Sequence, residues 1–142
     1  MKGHLFSILV CFVGGVVQSI ADETLADGEM LFGAHCARCH GADGTGNGSD
    51  ANNLKTRPSD LTKIAARRDG VWPILEVMSI IDGYTKQTTP REEMPLVSAL
   101  TDGPMVEFDT GNGLLTQVPA HLIAVANYLE SLQSPKPERY VP

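Results

Sequence analysis

At 142 residues, 42% of them hydrophobic, the chain has the size and composition of one globular domain, which excludes a disordered or fibrous protein. Its 17 acidic residues against 11 basic ones give a formal charge of −6. That balance argues against binding a phosphate backbone and favours encounter with partners that present a basic patch.

The chain opens with Lys2 and His4 ahead of an uncharged apolar run from Leu5 to Val17, and Ser19-Ile20-Ala21 closes it with small residues at both cleavage-site positions. This is the pattern of a secretory signal peptide over residues 1–21. The run is well short of the roughly 20 apolar residues that a transmembrane helix needs, so no permanent membrane anchor is expected. Val10 before Cys11 is bulky and the apolar run continues beyond it, so Cys11 is expected to leave with the leader rather than carry a lipid. Cleavage removes one lysine and no acid, taking the formal charge from −6 to −7. The mature domain is expected over 22–142.

Leu25, Met30, Leu31 and Phe32 give an apolar face at roughly helical spacing, with Thr24 as N-cap and Asp27 and Glu29 in the first turns. The spacing predicts a helix over 24–37, although Gly28 weakens its propensity. Two cysteines remain after export, and Cys36-Ala37-Arg38-Cys39-His40 is the C-x-x-C-H pattern of c-type haem attachment. On a helical turn, residues three apart project to one side, so two sulfurs can face a porphyrin edge and the next imidazole can reach the iron. A thioredoxin-like dithiol would need an alternating strand and helix pattern that is not seen here. A structural zinc site wants four ligands, and no second close pair accompanies His35, His40 and His121.

The segment Gly28-Glu29-Met30-Leu31-Phe32-Gly33-Ala34-His35-Cys36-Ala37-Arg38-Cys39-His40-Gly41, followed by Gly44, Gly46 and Gly48, resembles the haem segment of class I bacterial cytochromes c. The resemblance covers most of the mature chain. It implies an all-α, cytochrome c-like fold in which N- and C-terminal helices cross and loops and short helices enclose the haem. In that family a glycine at the place of Gly28 lets the C-terminal helix approach closely.

From Gly41 to Asn53 four glycines with Asp, Asn, Ser and Thr predict a turn-rich loop over one haem edge. It is no phosphate cradle, because no lysine follows and no strand precedes it. Arg57-Pro58-Ser59-Asp60-Leu61-Thr62 resembles the family's Pro-x-Asp-Leu-Thr segment. The resemblance implies that the Pro58 carbonyl accepts the second ring proton of His40 and fixes its orientation; a proline that merely starts a helix is the alternative. Short helices are predicted over 61–66 and 72–82, the latter with Trp72, Leu75, Met78 and Ile81 packed under the cofactor and Gly83 as its stop.

Three methionines lie downstream of the motif as sources of a soft sixth ligand. Met78 belongs to an apolar helical face, where a core role fits better. Met94, in Arg91-Glu92-Glu93-Met94-Pro95, matches the family's Met-Pro ligand loop, with Met105, His121 or an open position as alternatives. His35 is expected to turn away from the cofactor.

Residues 96–118 are an insertion relative to the simplest family pattern, with Thr101-Asp102-Gly103-Pro104 and Asp109-Thr110-Gly111-Asn112-Gly113 favouring hairpin-like or irregular structure. The last helix is predicted over 119–132 on the stripe Leu122, Val125, Tyr128, Leu129 and Leu132, with Tyr128 near Gly28. A three-proline tail over 134–142 is expected to be an exposed end.

The expected function is that of a periplasmic mono-haem electron carrier and not an enzyme. Haem c is joined through Cys36 and Cys39, ligated by His40 and Met94, with Pro58 behind His40. Its expected partners are redox proteins, some with basic docking patches, and not nucleic acid; it is expected to be a monomer or a subunit of a redox complex. The rival readings are a haem subunit of a larger dehydrogenase or oxidase, docked through the insertion, and a five-coordinate haem sensor or enzyme.

Overall fold

The computed structural model describes residues 20–87, 94–110 and 113–141. The leader therefore falls almost wholly outside the described residues, as do Arg91, Glu92 and Glu93 before Met94.

Helix α1 (Ile20–His35) begins four residues earlier than its spacing predicts and is followed, after one turn at Cys36, by the short α2 (Ala37–His40). Phe32 is fully buried and Leu31 packs beside the core, but Met30 faces outward. At 3.6 residues per turn, Met30 stands some 200° from Phe32, so the two cannot share a buried stripe. The C-terminal helix α5 (Ala120–Ser131) buries Leu122, Val125, Ala126 and Leu129 against the other elements.

The crossing of α1 and α5 organises the core. A Cβ on Gly28 would stand 2.2 Å from the Ala124 carbonyl oxygen and 2.8 Å from Tyr128 Cβ, so only glycine allows this approach. One turn on, the Phe32 and Tyr128 rings lie 5.4 Å apart at a tilt of 48°, a favourable aromatic pairing. The placement of Tyr128 near Gly28 matches the sequence expectation.

Between these helices the chain is less helical than its apolar spacing suggests. Where a helix over 61–66 is predicted, the chain forms two separate 3-10 turns, Leu61–Lys63 and Ala66–Arg68. The first is capped by Asp60, whose carboxylate accepts from the Thr62 backbone N–H at 2.8 Å and from its hydroxyl at 2.6 Å. Trp72 is core, as expected, but lies on an extended segment, β1 (Val71–Pro73), and not on a helix. The cause is Pro73, whose ring bars the preceding residue from helical dihedrals. Helix α3 (Ile74–Ile81) starts directly after it and buries Val77 and Met78.

The tail is more firmly held than expected. Its strand β4 (Arg139–Val141) pairs in parallel with β1, and the Glu138 and Arg139 amides donate to the Gly70 carbonyl. Side chains 138–140 are exposed, but the backbone is not free. Just before it Gln133, 3% exposed, accepts from the Ala65 amide and donates to the Leu61 and Leu129 carbonyls, tying the end of α5 to the 61–65 segment.

The insertion forms a short helix α4 (Ser98–Thr101), with Leu100 fully buried, and an antiparallel hairpin of β2 (Met105–Asp109) and β3 (Leu115–Pro119). The hairpin and the β1–β4 pair are additions to a helical frame that fits the all-α expectation. Among the described residues, no helix is long and apolar enough to cross a membrane.

Candidate haem site

The Cys-Ala-Arg-Cys-His motif begins where α1 ends, and the backbone holds it as a helical turn. The Cys36 amide donates to the Phe32 carbonyl at 2.8 Å, and the His40 amide to the Cys36 carbonyl at 2.9 Å. Helix α2 then leaves its last carbonyls without intrahelical partners. The glycine-rich loop supplies them in turn: Asp50 N–H to Arg38, Gly48 N–H to Cys39 and Gly46 N–H to His40, at 2.9, 3.1 and 2.7 Å. Outside this seam Arg38 pairs with Asp50 at 2.7 Å. Gly46 takes a φ of +83°, and a Cβ there would stand 2.3 Å from the Pro58 carbonyl oxygen. The loop is therefore clamped between the motif and the 57–62 turn.

A cavity of about 710 Å³ opens against this motif, within the ~300–1,000 Å³ usual for small-molecule sites. Cys36, Cys39 and His40 line it together with Met94 and Pro95. Phe32, Ile64, Val77, Leu100, Val125 and Leu129 supply apolar walls, and Lys55, Arg57, Arg67 and Arg68 contribute basic groups. Arg67 donates to the Asp60 carbonyl at 2.9 Å, and Arg68 pairs with Glu76.

Of the methionines weighed from sequence, Met94 is the one on the cavity wall. Met78 is buried in the core outside that wall, and Met105 lies on the hairpin, 53% exposed. His121 is also absent from the lining, and its Nδ1 is hydrogen-bonded to the Ala99 carbonyl at 2.9 Å. His35, among the lining residues, is exposed at the end of α1.

The expected acceptor behind His40 shifts by one residue. His40 Nδ1 lies 3.4 Å from the Ser59 carbonyl, whereas the Pro58 carbonyl faces Gly46. Pro58 keeps a place on the cavity wall. The sequence reading missed Ser59 because a main-chain acceptor leaves no side-chain signature. With Nδ1–H directed at Ser59, Nε2 is the nitrogen whose lone pair is available for a metal.

The fold and this constellation fit one family, and residues 25–133 match the family model for cytochrome c. The chain belongs to the cytochrome c family. No curated protein and no solved structure gives a match to it.

Membership supports a haem-c electron-transfer role, and the residues present fit that group. The apolar walls suit a porphyrin face, the basic residues suit its carboxylates, and two thiols in C-x-x-C spacing suit its covalent attachment. A bare metal ion fits less well, because no group of three His, Cys, Asp or Glu able to hold one occurs among the described residues. Burial, reinforced by the neighbouring Cys39, pushes the Cys36 thiol up to about 11, so it is neutral at physiological pH. Burial lowers the His40 pKa, opposed by its bond to Ser59, and so favours the unprotonated imidazole that can bind iron.

Proposed function

We propose that this cytochrome c carries single electrons between redox partners in the periplasm, exported behind a leader over residues 1–21. Cys36 and Cys39 would hold the haem through thioether bonds, and His40 and Met94 are the residues that would bind its iron. The observation that carries this reading is that His40 and Met94 line one cavity, together with both thiols.

The haem supplies a one-electron iron couple, whose potential a thioether ligand raises. The chain's own part is to hold and to shield. The Ser59 carbonyl orients the His40 ring, as outer partners of metal-bound imidazoles do. Pro95 restrains the backbone that presents Met94 sulfur. Phe32, Ile64, Val77 and Leu129 exclude water from the cavity and keep its polarity low. With His40 and Met94 both holding the iron, no position would remain on it for a substrate, which suits outer-sphere transfer.

The test is a pair of visible spectra, oxidised and reduced, for wild type and Met94→Ala made in a host with haem-attachment machinery. The expected result is a low-spin spectrum with a sulfur-to-iron charge-transfer band that disappears in the variant. A band that survives would move the ligand elsewhere; native reduced protein that binds carbon monoxide readily would favour an open iron and overturn the carrier reading.

A further inference from the structure

The hairpin of the insertion is presented to solvent in an orderly way. Its register pairs Met105 with Pro119, Glu107 with Gln117 and Asp109 with Leu115, so these six side chains share one face. The opposite face carries Phe108 and Val118, both packed against the core. The first face is therefore the outward one. On it Met105 and Leu115, at the two ends of the ladder, are 53% and 63% exposed, with Glu107 and Asp109 between Met105 and the turn. Single exposed apolar residues are ordinary; here two of them share one small face with an acidic pair, Glu107 and Asp109. Neither strand has a second neighbour among the described residues.

Charge identifies what the face would meet. No lysine or arginine occurs between Arg91 and Lys136, whereas Glu107 and Asp109 stand together on this face. Four cations, Lys55, Arg57, Arg67 and Arg68, line the cavity instead. We propose that the outward face of the β2–β3 hairpin is a docking surface for a protein partner that presents an apolar spot flanked by lysines or arginines. The inference rests on the electron-carrier reading, since that partner is the redox protein the cytochrome meets. A second copy of this chain does not suit the face, because a two-fold contact would oppose Glu107 and Asp109 to themselves. Five residues per strand give a patch about 17 Å long and about 10 Å wide. That is well under the ~800 Å² per partner of a stable complex, so it seats a brief contact.

The test uses reduced, haem-loaded, nitrogen-15-labelled protein. It is titrated with a seven-residue peptide of alternating lysine and valine, and with the same peptide carrying glutamate in place of lysine. Amide shifts should concentrate in 105–109 and 114–118, and the glutamate peptide should give none. Affinity for the lysine peptide should fall roughly tenfold between about 20 and about 300 mM salt, and roughly tenfold in Glu107→Lys. Met105→Ser should weaken binding with its salt dependence kept. Shifts centred on α1 or the cavity, or no binding, would overturn the proposal. So would concentration-dependent dimers in sedimentation that Leu115→Glu abolishes. Visible spectra of the same samples separate the two readings: intact low-spin haem without a hairpin response sinks the docking face alone, whereas absent covalent haem sinks the carrier reading.

Discussion

Two turn-rich segments of this cytochrome look alike on paper and differ in the fold. The loop after the haem motif, 41–53, and the hairpin region, 101–113, both carry several glycines among Asp, Asn and Thr. The first is stitched to the carbonyls of Arg38, Cys39 and His40, and its Gly46 is buried under Pro58. The second folds onto itself, touches the core through Phe108 and Val118, and shows its other face to water. Glycine density therefore says that the chain turns; the destinations of its backbone hydrogen bonds say whether the turn is rigid.

The most drastic way to break this contrast is to remove what the first loop surrounds. The double variant Cys36→Ser, Cys39→Ser should lose covalent haem completely, read as haem staining after denaturing electrophoresis. Next comes a matched pair of alanine substitutions at positive φ. Gly46→Ala meets both a left-handed backbone and the Pro58 oxygen at 2.3 Å, whereas Gly113→Ala has φ +77° with nothing within 4 Å of its Cβ. Denaturant midpoints should register about 3 kcal/mol for the first and about 1 kcal/mol for the second; equal losses would mean that the clamped loop gives way.

A pH titration probes the stitched side more gently. Burial depresses the His40 pKa in the folded, haem-free chain, so its contribution to stability is complete above 6.5 and is lost as pH falls from there through the depressed value. The denaturant midpoint of the haem-free chain should accordingly hold from pH 8 down to 6.5 and fall in more acid solution. The smallest effect is expected on the hairpin, where Leu115→Ser should shift the unfolding free energy by no more than about 0.5 kcal/mol.

The parts legible in the sequence are those that local spacing specifies. Cys36, Cys39 and His40 lie within one turn, the α5 stripe repeats at helical intervals, and the turn pairs around 101–113 announce a hairpin. Met94, which lies on the cavity wall, is singled out in the sequence only by the family's Met-Pro pattern, since no local rule ties a methionine to a distant histidine. What spacing hid depends on residues far apart or on main-chain atoms. Trp72 has helical offsets from Leu75 and Met78, yet Pro73 makes it extended. Ser59 replaces Pro58 behind His40 because the direction of a carbonyl is set by the turn and not by residue type. Gln133 looks like an ordinary polar residue at a helix end, and its burial follows from three hydrogen bonds, two of them to residues 61 and 65.

The clasp made by the C-terminal segment bears on how the chamber keeps its shape. Ser134 donates to Thr62, Gln133 bonds Ala65, and β4 lies along β1, so the segment that carries Leu61, Ile64, Arg67 and Arg68 is secured by the final part of the chain. Without that latch, one wall of the chamber would lose the hydrogen bonds that hold it against the end of the last helix.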